Sequence, residues 1–308
     1  MTRTPVAGAP YRGRFAPSPT GPLHFGSLVA ALGSYLDARA AGGEWLLRME
    51  DVDAPRTVPG AAAAILGTLE RLGFAWDGEV AWQSRRRSHY LAAFERLRLD
   101  DAVFACACSR REVADSTLGA DGAPRYPGTC RNGLPPGRQG RAWRLRVEPG
   151  QVCFEDLLQG RICQAVAAEV GDFVVLRADG HFAYQLAVVV DDADQGITHV
   201  VRGADLIDST PRQICLQERL GLARPAYLHL PAAVNAAGGK LSKQTRARQV
   251  DDFRPQAVLA AALAFLGQQP PDALAEADLD SLWRWAIMHW NRSALPGSRA
   301  AAAPAAYS

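Results

Sequence analysis

Residues 14–27 read Arg14-Phe-Ala-Pro-Ser-Pro-Thr-Gly-Pro-Leu-His-Phe-Gly-Ser27. A short apolar strand is broken by prolines and glycines. It then runs into Leu28-Val-Ala-Ala-Leu-Gly-Ser-Tyr-Leu36, which has the spacing of a buried helix face. A strand, a tight turn and a helix start bring backbone N–H groups and the positive end of a helix dipole to one point, a combination that favours phosphate. His24 lies in the turn and can donate to a phosphate oxygen. Gly21 and Gly26 let a nucleotide approach the backbone. The same pattern also fits an ordinary strand–turn–helix with a satisfied surface histidine, so the rest of the chain has to decide.

The βα rhythm continues. Glu44-Trp-Leu-Leu-Arg-Met-Glu-Asp-Val-Asp53 reads as a second strand ending in carboxylates, and ligands of parallel sheets bind beyond the carboxyl ends of strands. Glu50, Asp51 and Asp53 therefore fall where an amine or ribose could be held. Helices are expected over Pro59–Leu72, closed by Gly73, and over Ser88–Leu99. Residues 102–150 change character, with clustered cysteines, many Gly and Pro, and little periodicity, as in an insertion between sheet halves. Strands are expected at Val152–Phe154, Phe173–Leu176 and Tyr184–Val190. Thr198–Arg202 then reads as a strand, followed by a turn and a helix over Thr210–Leu220. Leu228–Val234 is the last expected sheet strand, Gly238–Gln244 a glycine-led basic loop, and Gln256–Trp290 a helical stretch whose Trp283, Trp285 and Trp290 suit a core. The alanine-rich Ala300–Ala306 is expected to be disordered.

Composition bounds the class. The chain has 308 residues, 48% hydrophobic and 21% charged, as in a globular protein with a sizeable core. No apolar run reaches membrane-spanning length, and Met1–Pro10 lacks the apolar core of a secretion signal, so a cytoplasmic location and no membrane partner are expected. A net charge of +2 neither demands nor excludes nucleic acid. Arg85–Arg87 and Arg138–Arg146 are basic enough to face phosphates, or are simply solvated runs. Six cysteines in a reducing compartment point away from a disulfide framework. Cys106-Ala-Cys108, followed by Tyr126-Pro-Gly-Thr-Cys130, can close around a structural zinc ion, which would order a segment poor in apolar residues. The fourth ligand stays open among Tyr126, Asp115, Asp121 and water. Cys153, Cys163 and Cys215 read as packing residues.

Lys240-Leu-Ser-Lys-Gln244 can bring an ammonium onto a triphosphate. Together with the opening stretch, it carries a resemblance. Pro22-Leu-His-Phe-Gly-Ser27 resembles the "HIGH" motif of class I aminoacyl-tRNA synthetases, and Lys240–Gln244 their "KMSKS" loop, with Ser27 and Gln244 departing from the usual residues. Arg14–Gly21, Arg48–Asp53 and His199–Leu206 resemble the glutamyl-tRNA synthetases. Roughly 60 residues follow Gln244, fewer than an anticodon-binding domain of usual size requires. The chain is therefore most similar to the glutamyl-queuosine tRNA(Asp) synthetase family.

The resemblance implies an α/β, Rossmann-like catalytic domain split by a zinc-bearing insertion and followed by a helical subdomain. Its expected divisions are a flexible leader (1–12), a first catalytic half (13–100), an acceptor-binding-like insertion (101–182), a second catalytic half with the lysine loop (183–246), a helical subdomain (247–297) and a disordered tail (298–308). It implies ATP-dependent activation of L-glutamate and transfer to the queuosine base of tRNA(Asp), with Mg²⁺ accompanying ATP and the protein a monomer. His24 and Lys243 would be catalytic, with Gly26, Ser27 and Lys240 also at ATP. Arg14, Ala16, Ser18, Glu50, Tyr184 and Arg202 would hold glutamate, Glu50 on the ammonium. Which arginine takes which carboxylate stays open. Cys106, Cys108, Tyr126 and Cys130 would hold zinc. A short tRNA-charging glutamyl synthetase and a small-molecule nucleotidyltransferase on the same fold are the alternatives.

Overall fold

The computed structural model describes residues 10–114, 124–235, 237–239, 241 and 248–307. The first half comprises β1 (Arg12–Phe15), α1 (Phe25–Ala40), β2 (Glu44–Met49), α2 (Ala61–Arg71), β3 (Ala81–Trp82) and α3 (Arg87–Leu99). Next come β4 (Val103–Cys106), α4 (Arg110–Ala114), β5 (Ala142–Leu145), β6 (Val152–Asp156), β7 (Gly160–Gln164), α5 (Val166–Glu169) and β8 (Val174–Leu176). The chain returns through α6 (Tyr184–Asp194), β9 (His199–Gly203), α7 (Thr210–Leu220), β10 (Ala226–Leu230) and β11 (Ala232–Val234). It finishes with α8 (Pro255–Phe265), α9 (Leu279–Met288) and β12 (Ala300–Ala302).

Two parallel groups build the central sheet. β1, β2 and β3 pair in parallel, as do β9 and β10, with β6 joining β10 through Tyr227 opposite Asp156. β1 and β9 meet side by side, where the Thr198 N–H donates to the Arg12 carbonyl at 3.0 Å and the Arg12 N–H to Thr198 Oγ1 at 2.8 Å. β4, β5 and β8 form a separate antiparallel sheet. The β6–β7 hairpin lies within the expected insertion, yet it completes the central sheet.

α1 is apolar almost all round because it is covered on both sides. Phe25, Leu28, Leu32 and Leu36 are buried in one core with residues of β1, β2, β10, α8 and α9. Gly33 is what admits β10, since a Cβ there would stand 2.4 Å from Leu230 Cδ1. Trp283 is buried in the same core, donating its indole N–H to the Leu72 carbonyl at 3.0 Å. Trp285 and Trp290 pack at its edge.

Four expectations need correction. Tyr184–Val190, read as a strand, is the start of helix α6. A helix buried on all sides presents an unbroken apolar run, which periodicity cannot tell from a buried strand. The tail is ordered through residue 307: Ala300–Ala302 pairs with Ala232–Val234, because small side chains let a short strand add to an edge through its backbone. Tyr11 and Arg12, assigned to the leader, belong to the fold. Tyr11 is buried, donates to Asp37 and stacks on His199. Cys153 and Cys163 stand directly opposite each other in the hairpin and form a disulfide, which accounts for their presence better than packing does. Cys215 is free and partly buried, packed against apolar residues as expected. No helix among the described residues is long and apolar enough to cross a membrane.

Candidate active site at the carboxyl edge of the sheet

A cavity of about 590 Å³ opens beyond the carboxyl ends of β1, β2, β9 and β10. Arg14, Ala16, Ser18, His24, Gly26, Ser27, Glu50, Tyr184 and Arg202 all line it, so the described members of the expected ATP and glutamate sets converge. Lys240 and Lys243 lie outside the described residues, as do Asp115 and Asp121; Leu241, between the two lysines, is buried against the cavity.

Local chemistry places each group. Pro17 and Pro19 end β1, and Gly21 at φ +139° takes a conformation that side chains disfavour, turning the chain toward α1. His24 is the N-cap of α1, and its Nδ1 accepts the Ser27 N–H at 3.3 Å. The proton of the neutral ring therefore sits on Nε2. Part of the expected anion site at the helix start is thus spent on the histidine itself. Gly26 makes room for that ring, whose atoms would lie 3.3 Å from a Cβ. The loop after β2 is tied to the loop after β1 by the Glu50 N–H donating to the Pro17 carbonyl at 3.0 Å.

The two arginines differ in their partners. Arg14 gives Nε and Nη2 to the two oxygens of Asp192, at 3.0 and 3.3 Å. Arg48, fully buried, also binds Asp192, at 2.7 Å, and stands 3.6 Å from Glu50 and 3.8 Å from Asp191. Burial disfavours the charge on Asp192, but the guanidiniums of Arg14 and Arg48 outweigh it and hold the carboxyl below its usual range. Arg202, 5% exposed, has only neutral hydrogen-bond partners: His229, Thr210, Gln213 and the Leu206 carbonyl. Among the described residues its Nη1 has no hydrogen-bond partner, and neither does Glu50 Oε1. Burial pushes the Glu50 carboxyl up to about 7 despite Arg48 and Arg14, and pushes the Tyr184 phenol up to about 12. Two side chains that line one cavity thus each hold a buried polar atom without a hydrogen-bond partner among the described residues, Glu50 Oε1 standing 3.6 Å from Arg48 Nη2. That pair suits a zwitterion with an extra carboxylate.

Other expected contacts are used within the fold. Asp51 accepts from Ser84, and Asp53 pairs with Arg56 and Arg177, leaving Glu50 as the acid of that strand end in the cavity. Arg86 binds Asp191 and Asp194, while Arg138 pairs with Glu112, so the basic runs are partly structural. Arg48, Asp191 and Asp192 were not singled out from sequence. The signal available was Asp191-Asp192 one helical turn beyond Val188, carboxylates placed inside an otherwise apolar helix.

The sulfurs of Cys106, Cys108 and Cys130 lie within 4.8 Å of one another, those of Cys108 and Cys130 at 3.7 Å. Thiolates around a tetrahedral zinc at about 2.3 Å stand about 3.8 Å apart, so the donor set fits that ion. The Tyr126 hydroxyl lies 3.6 Å from Cys106 Sγ and accepts the Cys130 N–H at 2.8 Å.

Comparison with known proteins agrees with this geometry. The family described as tRNA synthetases class I (E and Q), catalytic domain, matches residues 11–271. Glutamyl-Q tRNA(Asp) synthetase of Aromatoleum aromaticum is 62% identical, covering 98% of this chain and 96% of that protein. The protein of the same name from Dechloromonas aromatica is also 62% identical, covering 94% and 96%. Among solved structures, the glutamate-tRNA synthetase of Elizabethkingia anophelis superposes with a TM-score of 0.78 at 25% identity, covering 96% of this chain and 68% of that one. The chain belongs to the class I tRNA synthetases of the glutamate and glutamine type, and within them to the family of the glutamyl-Q tRNA(Asp) synthetases.

Proposed function

We propose that this chain activates L-glutamate with ATP and transfers it to the queuosine base in the anticodon of tRNA(Asp). The observation that carries the amino-acid part is that one cavity is lined by both Arg202 and Glu50, each with a buried polar atom, Nη1 and Oε1, that lacks a hydrogen-bond partner among the described residues. Glu50 pairs with the α-ammonium. Arg202, the cation whose hydrogen-bond partners are all neutral, takes the side-chain carboxylate with help from the protonated Tyr184 hydroxyl. Arg14, already neutralised by Asp192, offers its remaining N–H groups to the amino acid without adding net charge. Ala16 and Ser18 form the wall beside it.

In the first step the glutamate α-carboxylate oxygen bonds to the α-phosphorus of ATP while the bond to pyrophosphate breaks. Positioning and charge stabilisation carry such a displacement. His24 donates Nε2–H to a phosphate oxygen, Gly26 and Ser27 lie along the nucleotide, and Lys243, with Lys240, neutralises charge from its loop. Mg²⁺ enters with ATP as part of the substrate and offsets charge on the leaving pyrophosphate. In the second step a hydroxyl of the queuosine cyclopentenediol attacks the glutamyl carbonyl and AMP leaves. Cys106, Cys108, Cys130 and Tyr126 hold a structural zinc, which when bound orders the segment between β4 and β5.

Separate incubations with labelled glutamate, ATP and either tRNA(Asp), with and without queuosine, or tRNA(Glu) test the reading. Label is expected only in queuosine-containing tRNA. Label at the 3′ end of tRNA(Glu) would overturn it in favour of a charging enzyme.

A further inference from the structure

Arg202 is held by a chain that begins outside the cavity. Its Nε donates to His229 Nε2 at 3.1 Å. A guanidinium can only donate, so that nitrogen of the fully buried His229 must carry the lone pair. The ring proton therefore sits on Nδ1, which donates to Asp156 Oδ2 at 2.6 Å. The other Asp156 oxygen accepts backbone N–H groups of Leu158 at 3.0 Å, Gln159 at 2.8 Å and His229 at 3.3 Å. Asp156 ends β6, so one carboxylate both closes the hairpin turn and sets the tautomer of a histidine on β10. Thr210 and Gln213 fix Arg202 Nη2 at 2.8 Å each, while Nη1 of this cavity-lining side chain is buried and has no hydrogen-bond partner among the described residues.

We propose that Asp156 and His229 are positioning residues for substrate recognition, a relay in which Asp156 fixes the histidine tautomer, and that tautomer holds Arg202 with Nη1 turned to the substrate's side-chain carboxylate. This rests on the glutamate reading above and extends it to a hairpin remote from the reacting atoms. Burial and the nearby Arg202 charge lower His229 to about 4 even against the pull of Asp156, so the ring is neutral at physiological pH. A neutral imidazole between the Asp156 carboxylate and Arg202 supports the arginine without forming a direct ion pair with it. A carboxylate in place of His229 would pair with Arg202 and weaken its demand for an anionic ligand.

Asp156→Asn is the informative variant. Its amide oxygen can keep the three backbone donors, but its NH₂ then faces His229 Nδ1 and reverses the tautomer, setting His229 Nε2–H against Arg202 Nε–H. In glutamate-dependent ATP–pyrophosphate exchange, the KM for glutamate should rise about tenfold or more while that for ATP stays within about twofold. His229→Gln supplies an amide oxygen to Arg202 without needing Asp156, so adding Asp156→Asn to it should change the glutamate KM by less than about twofold. Equal effects in both backgrounds, or an ATP KM rising in step, would mean that Asp156 merely holds the hairpin, and would overturn the proposal. Imidazole nitrogen-15 shifts of the wild-type protein give a readout that needs no variant: Nδ1–H at His229 is expected, and Nε2–H would refute the relay. If the wild-type protein shows no glutamate-dependent exchange, the functional reading falls, while the shifts still test the relay itself.

Discussion

Glu50→Gln removes a charge the fold accommodates poorly and should therefore separate stability from activity. Glu50 is buried, its Oε1 has no hydrogen-bond partner among the described residues, and its carboxyl is raised from 4.5 to about 7, chiefly by burial. Between those values the folded protein keeps a proton that the unfolded chain has released. Glu50's contribution to stability is thus fully present below about 4.5 and is lost as pH rises through about 7. At 1.36 kcal/mol per unit, keeping the carboxylate ionised in the empty cavity costs on the order of 3 kcal/mol. Glutamine has nearly the same shape and no charge to desolvate. Urea unfolding of the ligand-free protein should therefore show the variant gaining on the wild type between pH 5 and pH 8, by roughly that amount or somewhat less after relaxation. The same variant should lose glutamate-dependent exchange, because it cannot pair with the ammonium. Parallel stability curves across that pH range would refute the reasoning, since they would mean the carboxylate is solvated or already compensated by Arg48.

Two further outcomes follow from the site. Arg202→Lys keeps a charge but loses the fork, and should raise the KM for glutamate by about tenfold to a hundredfold with the ATP KM unchanged; an equal rise for ATP would place Arg202 elsewhere. Purified protein reconstituted in zinc should carry about one ion per chain, and Cys108→Ser should lose it and melt at a lower temperature. Metal analysis of both proteins checks this, and unchanged zinc content in the variant would mean the thiols are not the ligands.

The residues that line the cavity were largely legible in the sequence, because each sits at a break in periodicity. Arg14 and Glu50 lie at or just beyond strand ends, Arg202 lies near the end of β9, and His24 stands in a proline–glycine turn. Their supports were not legible. Arg48 and Asp192 read as ordinary charges, since burial is a property of the folded chain. Asp156 and His229 are 73 residues apart, and only the parallel pairing of β6 with β10 brings them together. The helix α6 was read as a strand for the same reason that it matters: its apolar burial carries Asp191 and Asp192 into the interior, where they can organise arginines.

Those supports explain why the cavity needs two arginines of different kinds. Asp192 is shared by Arg14 and Arg48, and Arg48 also stands 3.8 Å from Asp191, so two guanidiniums face two carboxylates and the group contributes shape and N–H donors but little field. His229, Thr210 and Gln213 hold Arg202 without cancelling it, so its charge acts in the cavity alongside those of Glu50, Arg56 and Asp205 on the lining. Near neutral pH in the empty cavity Glu50 is partly protonated, which weakens its opposition to Arg202. Glutamate arrives with two carboxylates and one ammonium, a net negative charge, and its ammonium restores the Glu50 carboxylate by taking the place of the proton. Glutamine, which lacks the second carboxylate, would bring Arg202 no charge to pair with. Preference for the acid over its amide therefore rests on the neutrality of Arg202's partners as much as on the arginine itself.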